Sequence, residues 1–329
     1  MNSADFELFS TLRHWHEQGY DAALATVTHT YGSSPRPAGS MAAVRADGAV
    51  AGSVSGGCIE ADLIERVRRG VPALPQRLRY GGTREENQRV GLPCGGQLEL
   101  VVERMPDLSV VEDLLQALRA RLPVARRLDL MSGVSTLFTP DGTPALVCDE
   151  KELVSPHNPC WRLLLIGAVE TARYLADMAQ TLGYEVLVCD PRAEYAVTWN
   201  AAHGALVGGM PDDAVLALHP DGRTAIVALT HDPKLDDMAL MEALRSEAFY
   251  VGALGSRSNQ SARRERLASL DLAAREIDRL RGPVGLPIGS RLPAEIAVAI
   301  LADLIAVKNG IELFAVERQS FSTLRCVGA

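Results

Sequence analysis

The stretch Ser53-Val54-Ser55-Gly56-Gly57-Cys58, followed by Ile59-Glu60-Ala61-Asp62-Leu63, holds the residue types best suited to chemistry. Ile59, Leu63 and Val67 fall at four-residue steps and give one apolar helix face. That spacing predicts a helix from about Cys58 to Arg69, with the cysteine in its first turn. Two glycines before it let the backbone turn sharply and approach a ligand. Amides that open a helix hold anions such as phosphate. The same dipole favours a thiolate, a soft ligand or nucleophile, while Glu60 and Asp62 work against it. Ser55, Gly56, Gly57 and Cys58 are therefore candidate ligand contacts. The same residues also read as a plain glycine turn beside a small buried cysteine.

Two more loops share this character. Gly91-Leu92-Pro93-Cys94-Gly95-Gly96 again sets a cysteine against glycines, just before the alternating run Gln97 to Glu103. Gly32-Ser33-Ser34-Pro35-Arg36-Pro37-Ala38-Gly39-Ser40 stands between two predicted strands. Ser33, Ser34 and Arg36 offer hydroxyls and a guanidinium fork, which suit a phosphate or a pterin edge. Three such loops in the first hundred residues exceed what turn-making requires.

The Gly32–Met41 loop, the Ser55–Asp62 stretch and the Cys94-Gly95-Gly96 run resemble the N-terminal part of the xanthine dehydrogenase accessory protein family (XdhC/CoxI). The resemblance implies binding of the molybdenum cofactor, as molybdopterin or its dinucleotide form. It implies a chaperone rather than an enzyme, one that holds the cofactor for sulfuration and insertion into a molybdenum hydroxylase. A cysteine desulfurase as a further partner and a homodimeric state are expected with it. Cys58 and Cys94 are then the candidate contacts to molybdenum and its sulfur, because soft centres prefer thiolates.

Lys and Arg total 33 against 41 for Asp and Glu, a net charge of −8. That balance argues against non-specific binding to nucleic acid or anionic membranes. No apolar run is long enough to span a bilayer. The acidic, mixed stretch from Met1 to Ser10 does not read as a signal peptide, so a cytoplasmic protein is expected. Six cysteines are present, none in a C-x-x-C pair, which argues for reduced thiols and against a zinc site built from adjacent ligands. Cys148, Cys160, Cys189 and Cys326 read as packing residues.

A length of 329 residues suggests two domains. The expected fold is α/β, an N-terminal mixed α+β domain followed by a Rossmann-like parallel-sheet domain. Residues 1–150 form the first, with a helix over 4–18 and a hairpin turning at Asp47-Gly48. Thr83 to Arg89 reads as a loop or short helix. Ser135 to Phe138 is expected to meet Ala145 to Cys148. Residues 151–160, with two prolines and small polar neighbours, read as a linker carrying an exposed His157.

Residues 161–329 repeat strand, helix, strand: Leu163 to Ile166, then a helix to about Leu182, then Glu185 to Cys189. Later strands are expected at Thr224 to Leu229 and Phe249 to Val251, and a buried helix at Pro293 to Lys308. This half resembles the second domain of the same family. A dinucleotide fingerprint would place glycines where Gly167, Val169 and Ala172 stand, with an acid near Asp190 for a ribose. Valine at the second place blocks close approach of a pyrophosphate, so NAD(P) is not expected. Pro287 stands where the family commonly has aspartate. Gly252, Gly255, Ser256 and Arg257 follow a strand and open a helix, and read as a phosphate-facing loop. His231 reads equally as ligand-facing or as a strand-end hydrogen-bonding group. The competing functions are an NAD(P)-dependent oxidoreductase and a docking protein that keeps no cofactor.

Overall fold

The computed structural model describes residues 4–32, 36–81, 96–142 and 145–311. The chain divides into two compact units, Asn2–Cys160 and Trp161–Ala329. The first is built on helix α1 (Ala4–Glu17), strands β1 (Ala22–Tyr31), β2 (Met41–Arg45) and β3 (Val50–Gly52), helix α2 (Glu60–Arg69), and strands β4 (Gln76–Tyr80) and β5 (Gln97–Arg104). Helix α3 (Leu108–Arg119) and strands β6 (Val124–Asp129), β7 (Ser135–Phe138), β8 (Val147–Cys148) and β9 (Glu152–His157) complete it.

Strands β1 to β5 form an antiparallel sheet in the order β3-β2-β1-β5-β4. Alternation along β1 fixes both faces. Ala23, Ala25 and Val27 pack under Ile59, Leu63 and Val67 at the α2 end, while Ala22 and Leu24 pack with α1 and α3. A register shift between Val27 and His29 turns His29 and Tyr31 to the Gln97 and Glu99 side.

The smaller sheet runs β7-β6-β9-β8. Ser135–Phe138 pairs with β6 rather than with Ala145 to Cys148, because the short turn after Asp129 folds it straight back. The expected linker is also corrected: Glu152–His157 is strand β9, bonded to β6 and β8. Its alternation of half-buried and buried residues outweighs the loop-like prolines. His157 is 1% exposed, not a surface residue. Its Nδ1 lies 2.9 Å from Asp5 Oδ2 and its Nε2 lies 3.1 Å from Ser155 Oγ. The deepest charge in the unit is Arg126 of β6, held by both oxygens of Glu103 at 2.9 and 2.6 Å.

The second unit has strands β10 (Arg162–Ile166), β11 (Glu185–Cys189), β12 (Ala205–Val207), β13 (Thr224–Ala228), β14 (Tyr250–Ala253) and β15 (Leu280–Arg281). All pair in parallel, in the order β12-β11-β10-β13-β14-β15. This is the doubly wound dinucleotide-fold order, whose switch point lies between β10 and β13. Five longer helices cover it: α4 (Glu170–Thr181), α5 (Pro211–Leu218), α6 (Pro233–Arg245), α7 (Arg257–Ser269) and α8 (Pro293–Lys308). Helices α4 and α8 pack on one face, and α5, α6 and α7 on the other. The fold class is therefore the expected one. The expected buried helix is α8, with Ala297, Ile300, Leu301 and Leu304 in the core. Among the described residues no helix is long and apolar enough to cross a membrane.

Candidate functional site

The end of the first sheet collects what the sequence singled out. Tyr31 at the end of β1 pairs with Gln97 at the start of β5. Tyr80, ending β4, pairs with Leu98, while Gly52, ending β3, pairs with Ala42 at the start of β2. The connections that follow β1, β3 and β4 and those that enter β2 and β5 therefore lie at one end. Gly32 and Gly96 lie so close that a Cβ built on Gly32 would sit 3.7 Å from Gly96 Cα. Arg36, Ser55, Gly56, Gly57, Cys58 and Gly96 all lie on connections at this end of the sheet. Ser33, Ser34, Cys94 and Gly95 lie outside the described residues, as does Thr83 to Arg89.

Cys58 precedes the helix instead of standing in its first turn. Gly56 and Gly57 hold φ of +75° and +112°, so the chain is still turning at 57, and α2 begins at Glu60. The thiol is half-buried against the core under α2.

The loop amides are not free, which corrects the expectation of an open anion cradle at Ser55, Gly56 and Gly57. Glu60 folds its carboxylate back into the turn. Its Oε1 accepts from Ser53 Oγ at 2.7 Å, Val54 N at 3.1 Å and Ser55 N at 3.0 Å. Its Oε2 accepts from Gly57 N at 3.0 Å and from the Ser55 hydroxyl. The two hydroxyls pass the order on: Ser53 Oγ accepts from Gly56 N and Ser55 Oγ from Ile59 N, both at 2.9 Å. Burial pushes the Glu60 carboxyl up, but hydrogen bonds from Ser55, Ser53 and the Ser55 amide outweigh it and hold the group at about 2. Asp62 is likewise engaged, by Tyr80 Oη and Arg66 Nε, each at 2.6 Å.

Sequence reasoning missed Glu60 as an organising residue. The signal was present: Gly57 and Glu60 have the three-residue offset at which an acid reaches back to an amide before a helix.

In the second unit, Gly167 and Asp190 meet, but each serves the fold. Gly167 has φ +112°, and a Cβ there would stand 3.0 Å from Thr230 Cγ2 and 3.2 Å from its N. Glycine is thus needed to let the loops after β10 and β13 touch. Asp190 is 5% exposed. Its Oδ2 accepts from Ala168 N at 2.8 Å, and its two oxygens hold Arg192 at 2.8 and 2.7 Å. Burial raises its carboxyl, and Arg192 and the Ala168 amide more than reverse that. The acid expected to meet a ribose is already spent on its own loop. Val169 packs partly into the core as the residue before α4.

Gly252 is also corrected. It is buried inside β14, and the space of its absent side chain is filled by Val284, 2.5 Å from a built Cβ. Gly255, Ser256 and Arg257 do open α7 as read. Ser256 Oγ caps the helix by accepting from Asn259 N at 3.3 Å, and Arg257 is exposed. His231 is exposed in a left-handed conformation, φ +61°. Beneath it Thr230 and buried Asp236 bond to each other, and Asp236 pairs with Arg263 at 2.8 Å. That pair ties α6 to α7. Cys189 is fully buried, which pushes its thiol up to about 11. Among the described residues no group of three or more His, Cys, Asp or Glu side chains is placed to hold a metal.

Comparison with known proteins agrees with this architecture. Over 303 residues the chain is 28% identical to the molybdenum cofactor insertion chaperone PaoD of Escherichia coli (strain K12), spanning 88% of this chain and 84% of that one. Over 328 residues it is 26% identical to a probable xanthine dehydrogenase subunit of Bacillus subtilis (strain 168), spanning 90% and 96%. A crystal structure of a xanthine dehydrogenase from Bacillus halodurans shares the fold, with a TM-score of 0.74 at 24% identity over 95% of this chain and 98% of that one. Residues 15–81 match the model of the XdhC and CoxI family, and residues 163–304 match its XdhC Rossmann domain. Matched in chain order, once in each unit, this chain belongs to the XdhC and CoxI family.

Proposed function

We propose that the chain is a maturation factor that carries the molybdenum cofactor as cargo and delivers it to a molybdenum hydroxylase. The cargo is molybdopterin or its dinucleotide form. What supports this reading is the set of loops leaving one sheet end, with a half-buried thiol, Cys58, in the glycine turn there. Molybdenum and its terminal sulfur are soft centres, for which a thiolate is the natural side chain. Cys58 takes that end, and Cys94 is proposed as its companion. The pterin phosphate needs a cation and hydroxyls, which the Arg36 loop supplies with Ser33 and Ser34. The protein donates no bond-making step of its own in this scheme. It shields the cargo and presents it.

Related proteins named as a molybdenum cofactor insertion chaperone and as a probable xanthine dehydrogenase component favour the same assignment. A cysteine desulfurase as sulfur donor, a homodimeric state and a cytoplasmic setting belong to the proposal. The dinucleotide-dependent oxidoreductase is disfavoured by Asp190, whose carboxylate is already bonded to Ala168 and Arg192.

The test is add-back of cofactor released from a molybdenum enzyme, under anaerobic conditions, to wild type and Cys58→Ser. Saturable uptake by wild type, lost in a folded Cys58→Ser, is the expected result. Equal uptake by both proteins would contradict it.

A further inference from the structure

The turn before α2 is a ready anion cradle that already holds an anion, the carboxylate of Glu60. We propose that Glu60 is a specificity-determining residue: it fills the oxyanion donors of the Ser53–Gly57 loop, bars phosphate from Cys58, and leaves that residue to the soft end of the cargo. The part concerning cargo rests on the function proposed above. The exclusion of phosphate does not.

The argument is a donor-by-donor account of the turn. Ser53 N donates to Met41 O at 3.0 Å. The amides of Val54, Ser55 and Gly57 donate to Glu60. Those of Gly56 and Ile59 donate to the hydroxyls of Ser53 and Ser55, which themselves donate to Glu60. Among the described residues, Cys58 is the one member of this run whose amide has no acceptor. One residue thus keeps both its N–H and its thiol unspent, while three neighbouring amides and both serine hydroxyls donate directly to the Glu60 carboxylate and two further amides reach it through those hydroxyls.

A phosphate needs several convergent N–H or O–H donors and no adjacent carboxylate. It finds the reverse here. A molybdenum centre with oxo and sulfido ligands needs one soft contact and at most a donor or two, which Cys58 provides. Glu60 therefore sets the direction in which a cofactor with a phosphate at one end and a metal at the other can enter. Among the described residues, nothing lies within 4 Å of a Cβ built on Gly57. Removing the carboxylate should turn the emptied cradle into a phosphate site.

The experiment follows Cys58 alkylation by iodoacetamide, read at the peptide level by mass spectrometry. It is run at one fixed near-neutral pH, with and without inorganic phosphate at matched ionic strength. Each protein is compared only with itself, so any change in intrinsic thiol reactivity cancels. In wild type, about 20 mM phosphate should leave the rate within about 1.5-fold. In Glu60→Ala the same phosphate should slow alkylation by about threefold or more, which corresponds to a Kd for phosphate of about 10 mM or tighter at the freed amides. Glu60→Gln fills the turn but cannot satisfy five donors. It should show the same direction with a smaller effect, and it serves if the alanine variant does not fold.

Phosphate protection of wild-type Cys58 equal to that of the variants would overturn the proposal. So would the absence of protection in both variants. None of these measurements contains cofactor. If Cys58→Ser retains cofactor as wild type does, the proposed function falls while phosphate exclusion stands. If the phosphate result fails while Cys58→Ser loses cofactor, the function stands and the role of Glu60 falls.

Discussion

Replacing Asp190 should destabilise the second unit without costing it a nucleotide. Its carboxylate accepts the buried Ala168 amide at 2.8 Å and brackets Arg192 with both oxygens. Asp190→Ala leaves a buried N–H without an acceptor, which costs about 1–3 kcal/mol. The Arg192 partner is 22% exposed on its side chain and partly recovers water, so its loss adds only about 1 kcal/mol. About 3 kcal/mol in total corresponds to a fall of about 6–12 °C for a unit of this size. Asp190→Asn keeps a carbonyl for Ala168 and should lose about half as much.

Acid supplies a second check. The carboxyl is held below its ordinary 3.8 in the folded protein. A group depressed in this way contributes stability that is fully present above its unfolded value and is lost as pH falls through the folded one. The gap between wild type and Asp190→Asn should therefore close on acidification below about pH 4. Thermal unfolding by calorimetry, at neutral pH and near pH 3, reads both effects. A fall under about 2 °C for Asp190→Ala would refute the reasoning, since it would mean that the bonds to Ala168 and Arg192 carry little energy. A gap that widens in acid would refute it as well.

Three further outcomes follow. Gly167→Ala meets both a left-handed φ and the Thr230 backbone, and should cost about 2–3 kcal/mol in thermal unfolding. Val169→Gly restores the fingerprint glycine but leaves the Ala168 amide bonded to Asp190, so isothermal titration with NAD should show no binding gained. Arg126→Ala should cost the first unit about 3–5 kcal/mol in urea unfolding, because it strands the buried carboxylate of Glu103. The double change to Arg126→Met and Glu103→Leu should recover most of that loss.

The second unit was readable because its signals are local. Leu163 to Ile166 is an apolar run ended by a glycine, and Gly183 and Pro293 punctuate the helices where the structure does. The first unit was less readable because its short strands do not announce which neighbour they pair with. Ser135–Phe138 carries no mark that says β6 rather than β8, and the prolines of 151–160 conceal a strand that pairs with β8 just before it and with β6 further back.

The candidate site shows the same limit in miniature. Residue types and glycine spacing pointed to the Ser53–Cys58 turn. What they could not say is that Glu60 would occupy the amides, because a side chain folded back on its own turn leaves only a three-residue offset in the sequence. Gly252 failed for a related reason. A glycine required by a core contact, here with Val284, looks the same in sequence as one required by a ligand.

The most direct test of the central claim is the molybdenum and pterin content of protein purified anaerobically, measured on wild type, Cys58→Ser and Cys94→Ser. The account predicts pterin and molybdenum bound in step with wild-type protein and lost from folded Cys58→Ser. Wild type that retains no pterin and takes up none on add-back, or Cys58→Ser that retains it undiminished, would contradict a cargo carrier built around that thiol.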